Sequence, residues 1–149
     1  MNEQFTETDR HYISLLQENI NRMSGNSSSC KTWLVTLVAA ILAIQLTSDE
    51  LRNVLWVALG LIVLFYILDS YYLALERKFV SIEKEFIKQA LEKEDGLVSP
   101  GLYSFDIKSI TDRRATIWSA FFSPSTCPFY LILFCIVLIV CLWPVLFCV

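Results

Sequence analysis

The sequence predicts an all-α integral membrane protein: three transmembrane helices, a long cytoplasmic helical stalk and a short strand-and-turn segment. Three observations lead there. The 149 residues are 55% hydrophobic and only 18% charged, with a mean hydropathy of +0.52. All twelve Lys/Arg and fifteen Asp/Glu lie between Glu3 and Arg114, and none falls between Ala115 and Val149. Several uncharged runs approach the roughly 20 residues that a helix needs to cross the hydrocarbon core. A soluble domain spreads charge over its whole surface, because large apolar patches promote association. A disordered chain would be poor in aromatic and β-branched residues, and a nucleic-acid-binding domain would be basic, whereas the net charge here is -3.

The chain divides into an N-terminal arm (1–31), a transmembrane hairpin (32–75), a cytoplasmic stalk with turn, strand and elbow (76–127) and a third span (128–149). The first span, 32–48, is charge-free but at the lower limit of length, and its apolar core is Trp33 to Leu46; a buried or re-entrant helix is the alternative. The second, 53–75, holds the run Val54 to Leu68, then Asp69 and Ser70, then Tyr71 to Leu75. It crosses if Asp69 sits near an interface. The third, Phe129 to Val149, is uncharged and strongly apolar, and Pro144 is expected to bend or end it. The first apolar run follows a long polar segment, unlike a secretory signal. Asn2 stands where N-myristoylation would need Gly.

Orientation follows from Lys/Arg bias, since cytoplasmic flanks carry the excess. The arm has Arg10, Arg22 and Lys31, the Ser48 to Arg52 turn has only Arg52, and the remaining cations lie between Glu76 and Cys127. The arm and the long segment are therefore expected inside, with the turn and the C-terminus outside. Tryptophan prefers both membrane interfaces, and Trp33, Trp56, Trp118 and Trp143 then read inner, outer, inner, outer. The alternative for Trp56 and Trp143 is packing between helices.

Past Leu75 the helical pattern continues. Tyr72, Leu75, Phe79, Ile82 and Phe86 recur at spacings of three and four and form an oligomer or partner seam, with charges between them. No Pro or Gly interrupts Leu61 to Asp95, so one helix is expected from Leu51 to Glu94, about 65 Å long, stopping at Gly96. In the arm, Thr6 with Asp9 is a capping-box start; Tyr12, Leu16, Ile20 and Met23 share a face, and Gly25-Asn26 is an end signal. The arm either packs antiparallel on the stalk within one subunit or leaves stalks to pair between subunits. Ser99-Pro100-Gly101 is a turn signature, and Tyr103, Phe105 and Ile107 alternate with polar residues as in a short strand. Residues 117–128 read as an aromatic elbow at the interface.

Catalytic chemistry finds little support. His11, the only histidine, sits on a helix surface without neighbouring ligands at metal spacing, and four glycines supply no phosphate-cradling loop. We expect no enzyme, metal or cofactor. The five cysteines, Cys30, Cys127, Cys135, Cys141 and Cys148, include no CxxC and behave as small hydrophobes; Cys148, outside, offers an intersubunit disulfide as an alternative. Asp69 is the most informative residue, because intramembrane carboxylates are costly and often mark ion paths. About 13 residues separate it from Trp56, roughly 20 Å of helix. This places it near the inner interface, where Lys31, Arg77 or a tyrosine hydroxyl would satisfy it. Gln45 and the Ser27-Ser28-Ser29 run read as packing and capping groups. The Asn26-Ser27-Ser28 sequon falls on the cytoplasmic side and is chance.

Two segments carry a family likeness: Asn21-Arg22-Met23 through Asn26-Ser27-Ser28 into Lys31 and Trp33, and Leu68-Asp69-Ser70-Tyr71-Tyr72-Leu73 followed by Glu76-Arg77-Lys78-Phe79. Together they resemble small bacterial inner-membrane effectors of anti-phage systems, among them retron-associated transmembrane effectors. The likeness covers Tyr12 to Phe86 and departs from the group's stalk pattern at Val80-Ser81-Ile82. The resemblance implies a toxin held in check by a cytoplasmic reverse transcriptase with its RNA-DNA hybrid and disrupting the inner membrane on release, as a homo-oligomer in the bilayer. The alternatives are an anchoring or regulatory subunit and an ion-channel subunit. Lys108, Arg113 and Arg114 sit among acids and mark a positive flank, so direct nucleic-acid binding is not expected.

Overall fold

The computed structural model describes residues 6–45, 54–92 and 117–147. Every element among them is a helix: α1 (Glu7–Gln45), α2 (Val54–Glu92), α3 (Ile117–Phe121) and α4 (Cys127–Phe147). The Ser48 to Arg52 turn, the Gly96 stop, the turn at Ser99, the strand from Tyr103 to Ile107, the cations at 108–114 and Cys148 lie outside the described residues.

The start of α1 is set by a local polar exchange. The Thr6 backbone N–H and hydroxyl donate to Asp9 Oδ2 at 2.9 and 2.7 Å, and the Asp9 backbone N–H donates to Thr6 Oγ1 at 3.2 Å. This capping box satisfies N–H groups that a helix start leaves without intrahelical partners. The helix does not end at Gly25-Asn26, however. It runs through to Gln45, so the arm and the first apolar segment are one rod of 39 residues, about 58 Å long. A glycine inside a helix costs about 1 kcal/mol relative to alanine. Here Met23, Ser27 and Cys30 on either side of it face inward, and their contacts with α2 outweigh that local preference.

The second rod, α2, also has 39 residues. Tyr12 meets Phe86, Gln17 donates to Glu83 at 2.9 Å and Ser27 meets Asp69, so the partners run in opposite order and the rods are antiparallel. Their contacts form two apolar clusters. One joins Leu34 and Val38 of α1, Ala58, Leu59 and Ile62 of α2, and Tyr130 and Val137 of α4. The other joins Tyr12 and Leu16 to Phe79 and Phe86, with Ile20, Met23 and Ile82 against them. Of the two arrangements the seam allowed, the arm packs on it within one chain. Phe79, Ile82 and Phe86 are covered in this way, whereas Tyr72 and Leu75 stay half-buried outside the cluster.

Both α1 and α2 are long and apolar enough to cross a membrane. Their outer faces suit lipid: Val35, Ile44, Val57, Leu64 and Ile67 are exposed. On the exposed side of α1, the Thr32 and Thr36 hydroxyls donate back to Ser28 O at 3.2 Å and Thr32 O at 2.9 Å, so both are satisfied within the helix. Trp33, Trp56 and Trp118 are 65%, 60% and 72% exposed, so Trp56 does not pack between the described helices of one chain. The backbone of α4 stays helical past Pro144 to Phe147 and carries Trp143 in its last turns. Of the two outcomes expected at Pro144, an end to the helix does not occur, because proline removes only one hydrogen bond from an otherwise apolar, helix-compatible run.

Truncating the arm-to-α2 seam should therefore be costly. Leu16→Ala or Phe86→Ala, at sites that are almost fully buried, is expected to lower stability by about 3 kcal/mol. Leu91→Ala on the exposed side should change it by less than about 0.5 kcal/mol. Unfolding of the detergent-solubilised chain, followed by circular dichroism, measures both.

Candidate functional site

Between the two apolar clusters lies a polar layer. Ser27 and Lys31 are one helical turn apart and therefore share a face. That face meets Asp69, whose side chain has no solvent exposure. Lys31 Nζ stands 2.8 Å from Asp69 Oδ2 and donates to Ser27 Oγ at 3.1 Å, and the Ser27 hydroxyl donates to Asp69 Oδ1. From α4, the Tyr130 hydroxyl faces the same carboxylate without closing a hydrogen bond of good geometry. Cys30 and Ser70 are buried alongside. A lone buried carboxylate costs several kcal/mol, and a close cation with additional donors offsets most of that. Lys31 keeps 23% of its side chain exposed, so its stem lies along apolar surface while the ammonium reaches the carboxylate.

Of the three partners that the sequence offered for Asp69, Lys31 takes the role. Arg77 is two helical turns further along α2 and turns to the elbow instead. Its Nη1 donates to Ser119 O at 3.1 Å and to Ser119 Oγ at 3.2 Å, and its Nη2 donates to Ser123 Oγ at 2.8 Å. The elbow has internal order of its own. Thr126 is fully buried and its hydroxyl donates to Ala120 O at 2.8 Å. Ser123 O accepts from the backbone N–H groups of Thr126 and Cys127 at 3.1 and 3.0 Å, which starts the turn that becomes α4. Tyr66 completes the dock: its hydroxyl donates to Phe121 O at 2.5 Å, and its ring meets Phe121 edge-on at 4.9 Å and Tyr130 at 5.0 Å. Next to Arg77, burial pushes the Glu76 carboxyl above its ordinary range, against the pull of Arg77 and Lys31.

The structure thus brings together Asp69 and Lys31, and separately Arg77 with the elbow. Gln45, at the last position of α1, is 14 residues from Lys31, about 21 Å along the helix, and belongs to neither group. The seam residues Tyr72, Leu75, Phe79, Ile82 and Phe86 begin just beyond the polar layer. Ser119, Ser123, Thr126 and Tyr130 were not singled out from the sequence. The signal that pointed at the layer was the intramembrane carboxylate of Asp69, for which Lys31 and a tyrosine hydroxyl were among the expected partners. Among the described residues, no group of three or more His, Cys, Asp and Glu is placed to hold a metal ion, and Cys30, Cys127, Cys135 and Cys141 are free thiols.

These features define the class as a helical protein with two helices able to cross a membrane, joined by a buried ion pair. No family model matches the chain, and neither a curated protein nor a solved structure is significantly similar to it.

Replacing Arg77 tests the dock. Arg77→Lys keeps the charge but not the planar fork that reaches both serines, and a lost hydrogen bond to a charged group is worth about 1.5–3 kcal/mol. The variant is expected to melt at lower temperature, with protease cleavage appearing in 117–126 before any in α2.

Proposed function

We propose that this chain is a non-enzymatic effector of the bacterial inner membrane: a multi-pass toxin of an anti-phage abortive-infection system that a cytoplasmic partner restrains. In this reading α1 and α2 cross as a hairpin, α4 is a third span, the N-terminus is inside and the C-terminus outside. The arm with the far half of α2 forms the cytoplasmic stalk on which the partner acts. The partner suggested by the family likeness is a retron reverse transcriptase with its RNA-DNA hybrid. The oligomer and the membrane lesion form when that restraint is lifted.

One observation carries the reading. Each of the two rods runs unbroken from a polar, mutually packed half into an apolar half with an outward aliphatic face. A force applied to the polar ends is therefore transmitted along continuous helix into the bilayer. No hinge separates receiver from effector in either rod.

Expression of the chain alone from an inducible promoter, without a partner, is expected to arrest growth and collapse the membrane potential reported by a voltage-sensitive dye. Continued growth with normal polarisation would contradict autonomous toxicity.

A second reading, an ion path, is favoured by the buried Asp69 alone. Its carboxylate is held by Lys31 and Ser27, which suits a structural role better. Asp69→Asn should consequently reduce the yield and thermal stability of the reconstituted protein, while any conductance per assembled oligomer persists. Loss of conductance with assembly intact would favour the ion path.

A further inference from the structure

The apolar run of α2 gives way to charge at Glu76, Arg77 and Lys78, and the elbow docks at that level. Between them lies an open groove of about 640 Å³ whose walls include Arg77, Ser81 and Lys84 of α2 and Ser119, Phe122 and Ser123 of the elbow. Two cations and three hydroxyls line it, and Glu76, half-buried at its edge, is the one carboxylate among its lining residues. The three bonds from Arg77 to the elbow hold its guanidinium in the groove wall. Phe122 and Trp118 stand 77% and 72% exposed beside the groove, as aromatic side chains do at the headgroup level of a bilayer.

A second, smaller cleft of about 160 Å³ opens on the membrane side of the same elbow, with Ile62 and Tyr66 of α2 and Tyr130, Leu131 and Phe134 of α4 in its walls. Its lining is almost wholly apolar. Ile62, Tyr66, Arg77 and Lys84 follow one another at four, eleven and seven residues, spacings that return to the same face of a helix. The polar groove and the apolar cleft therefore lie on one stripe of α2, with Tyr66 and Arg77 about 16 Å apart along the axis.

We propose that the elbow is a binding site for an anionic phospholipid of the cytoplasmic leaflet. Its phosphate lies between Arg77 and Lys84, the Ser119 and Ser123 hydroxyls border it, and an acyl chain passes Phe122 toward the cleft at Tyr66 and Tyr130. Charge decides for an anionic headgroup over a zwitterionic one, since each Lys or Arg near an anionic surface contributes about 1 kcal/mol. An apolar cleft about 16 Å further along the same stripe of α2 decides for a lipid over a free anion. The inference rests on the membrane reading above and adds a ligand to it.

Native mass spectrometry of the full chain in detergent, titrated with dioleoylphosphatidylglycerol or dioleoylphosphatidylcholine, tests it. One phosphatidylglycerol per chain should bind at least about fivefold more tightly than phosphatidylcholine. Lys84→Gln should remove about fivefold of the phosphatidylglycerol affinity and leave the melting temperature unchanged, because Lys84 is exposed. Millimolar inorganic phosphate should not displace the lipid. Equal affinity for the two lipids, an unaltered affinity in Lys84→Gln, or displacement by phosphate would each overturn the proposal. Failure of the membrane reading is distinct from this: it would appear as a chain recovered without detergent in the soluble fraction.

Discussion

The contact between Asp69 and Lys31 is the constraint on which the rest of the architecture depends. Apolar contacts are non-directional, so the apolar seams between two helices of 39 residues specify register less sharply than a charged contact does. A carboxylate with no solvent exposure supplies such a contact. Sliding by one turn, about 5.4 Å, would carry Asp69 away from both Lys31 and Ser27 and leave it charged and alone in an apolar layer. The pair fixes register more than it adds net stability, as buried polar groups do in some helical assemblies.

Fixed register in turn places everything at either end. On one side it seats Tyr12 and Leu16 against Phe79 and Phe86; on the other it aligns Leu34 and Val38 with Ala58, Leu59 and Ile62. Two turns beyond Asp69, Arg77 holds the elbow, and the elbow delivers α4 so that Tyr130 faces the same carboxylate. The arm, the hairpin and α4 therefore meet around one charged layer at the level where the apolar surface ends. The polar and apolar halves of both rods are thereby parts of the same continuous helices.

Much of this was legible in the sequence, and the misses have a common physical cause. The expected helix from Leu51 to Glu94 corresponds to α2, Val54–Glu92, because its signals are local: no Pro falls within it, no Gly follows Gly60, and apolar residues recur at helical spacing. The capping box at Thr6 and Asp9 was equally readable, both partners lying within one turn. Gly25-Asn26 misled because it is also a local signal, whereas the contacts that carry α1 through it come from a helix some 40 residues away. The same distance hid the destination of Arg77, since nothing near it in the chain points to Ser119 or Ser123. For Asp69 the sequence narrowed the choice to three kinds of partner, and only the antiparallel register selects Lys31.

A double-mutant cycle on Lys31→Met and Asp69→Leu, with unfolding free energies measured in detergent micelles, tests the central claim most directly. Lys31→Met strands the buried Asp69 and should cost about 3–5 kcal/mol; Asp69→Leu leaves a part-exposed Lys31 and should cost less, and the double variant should recover much of the first loss, giving a coupling of about 2 kcal/mol or more. Strictly additive losses would contradict the account, because the two side chains would then not depend on each other.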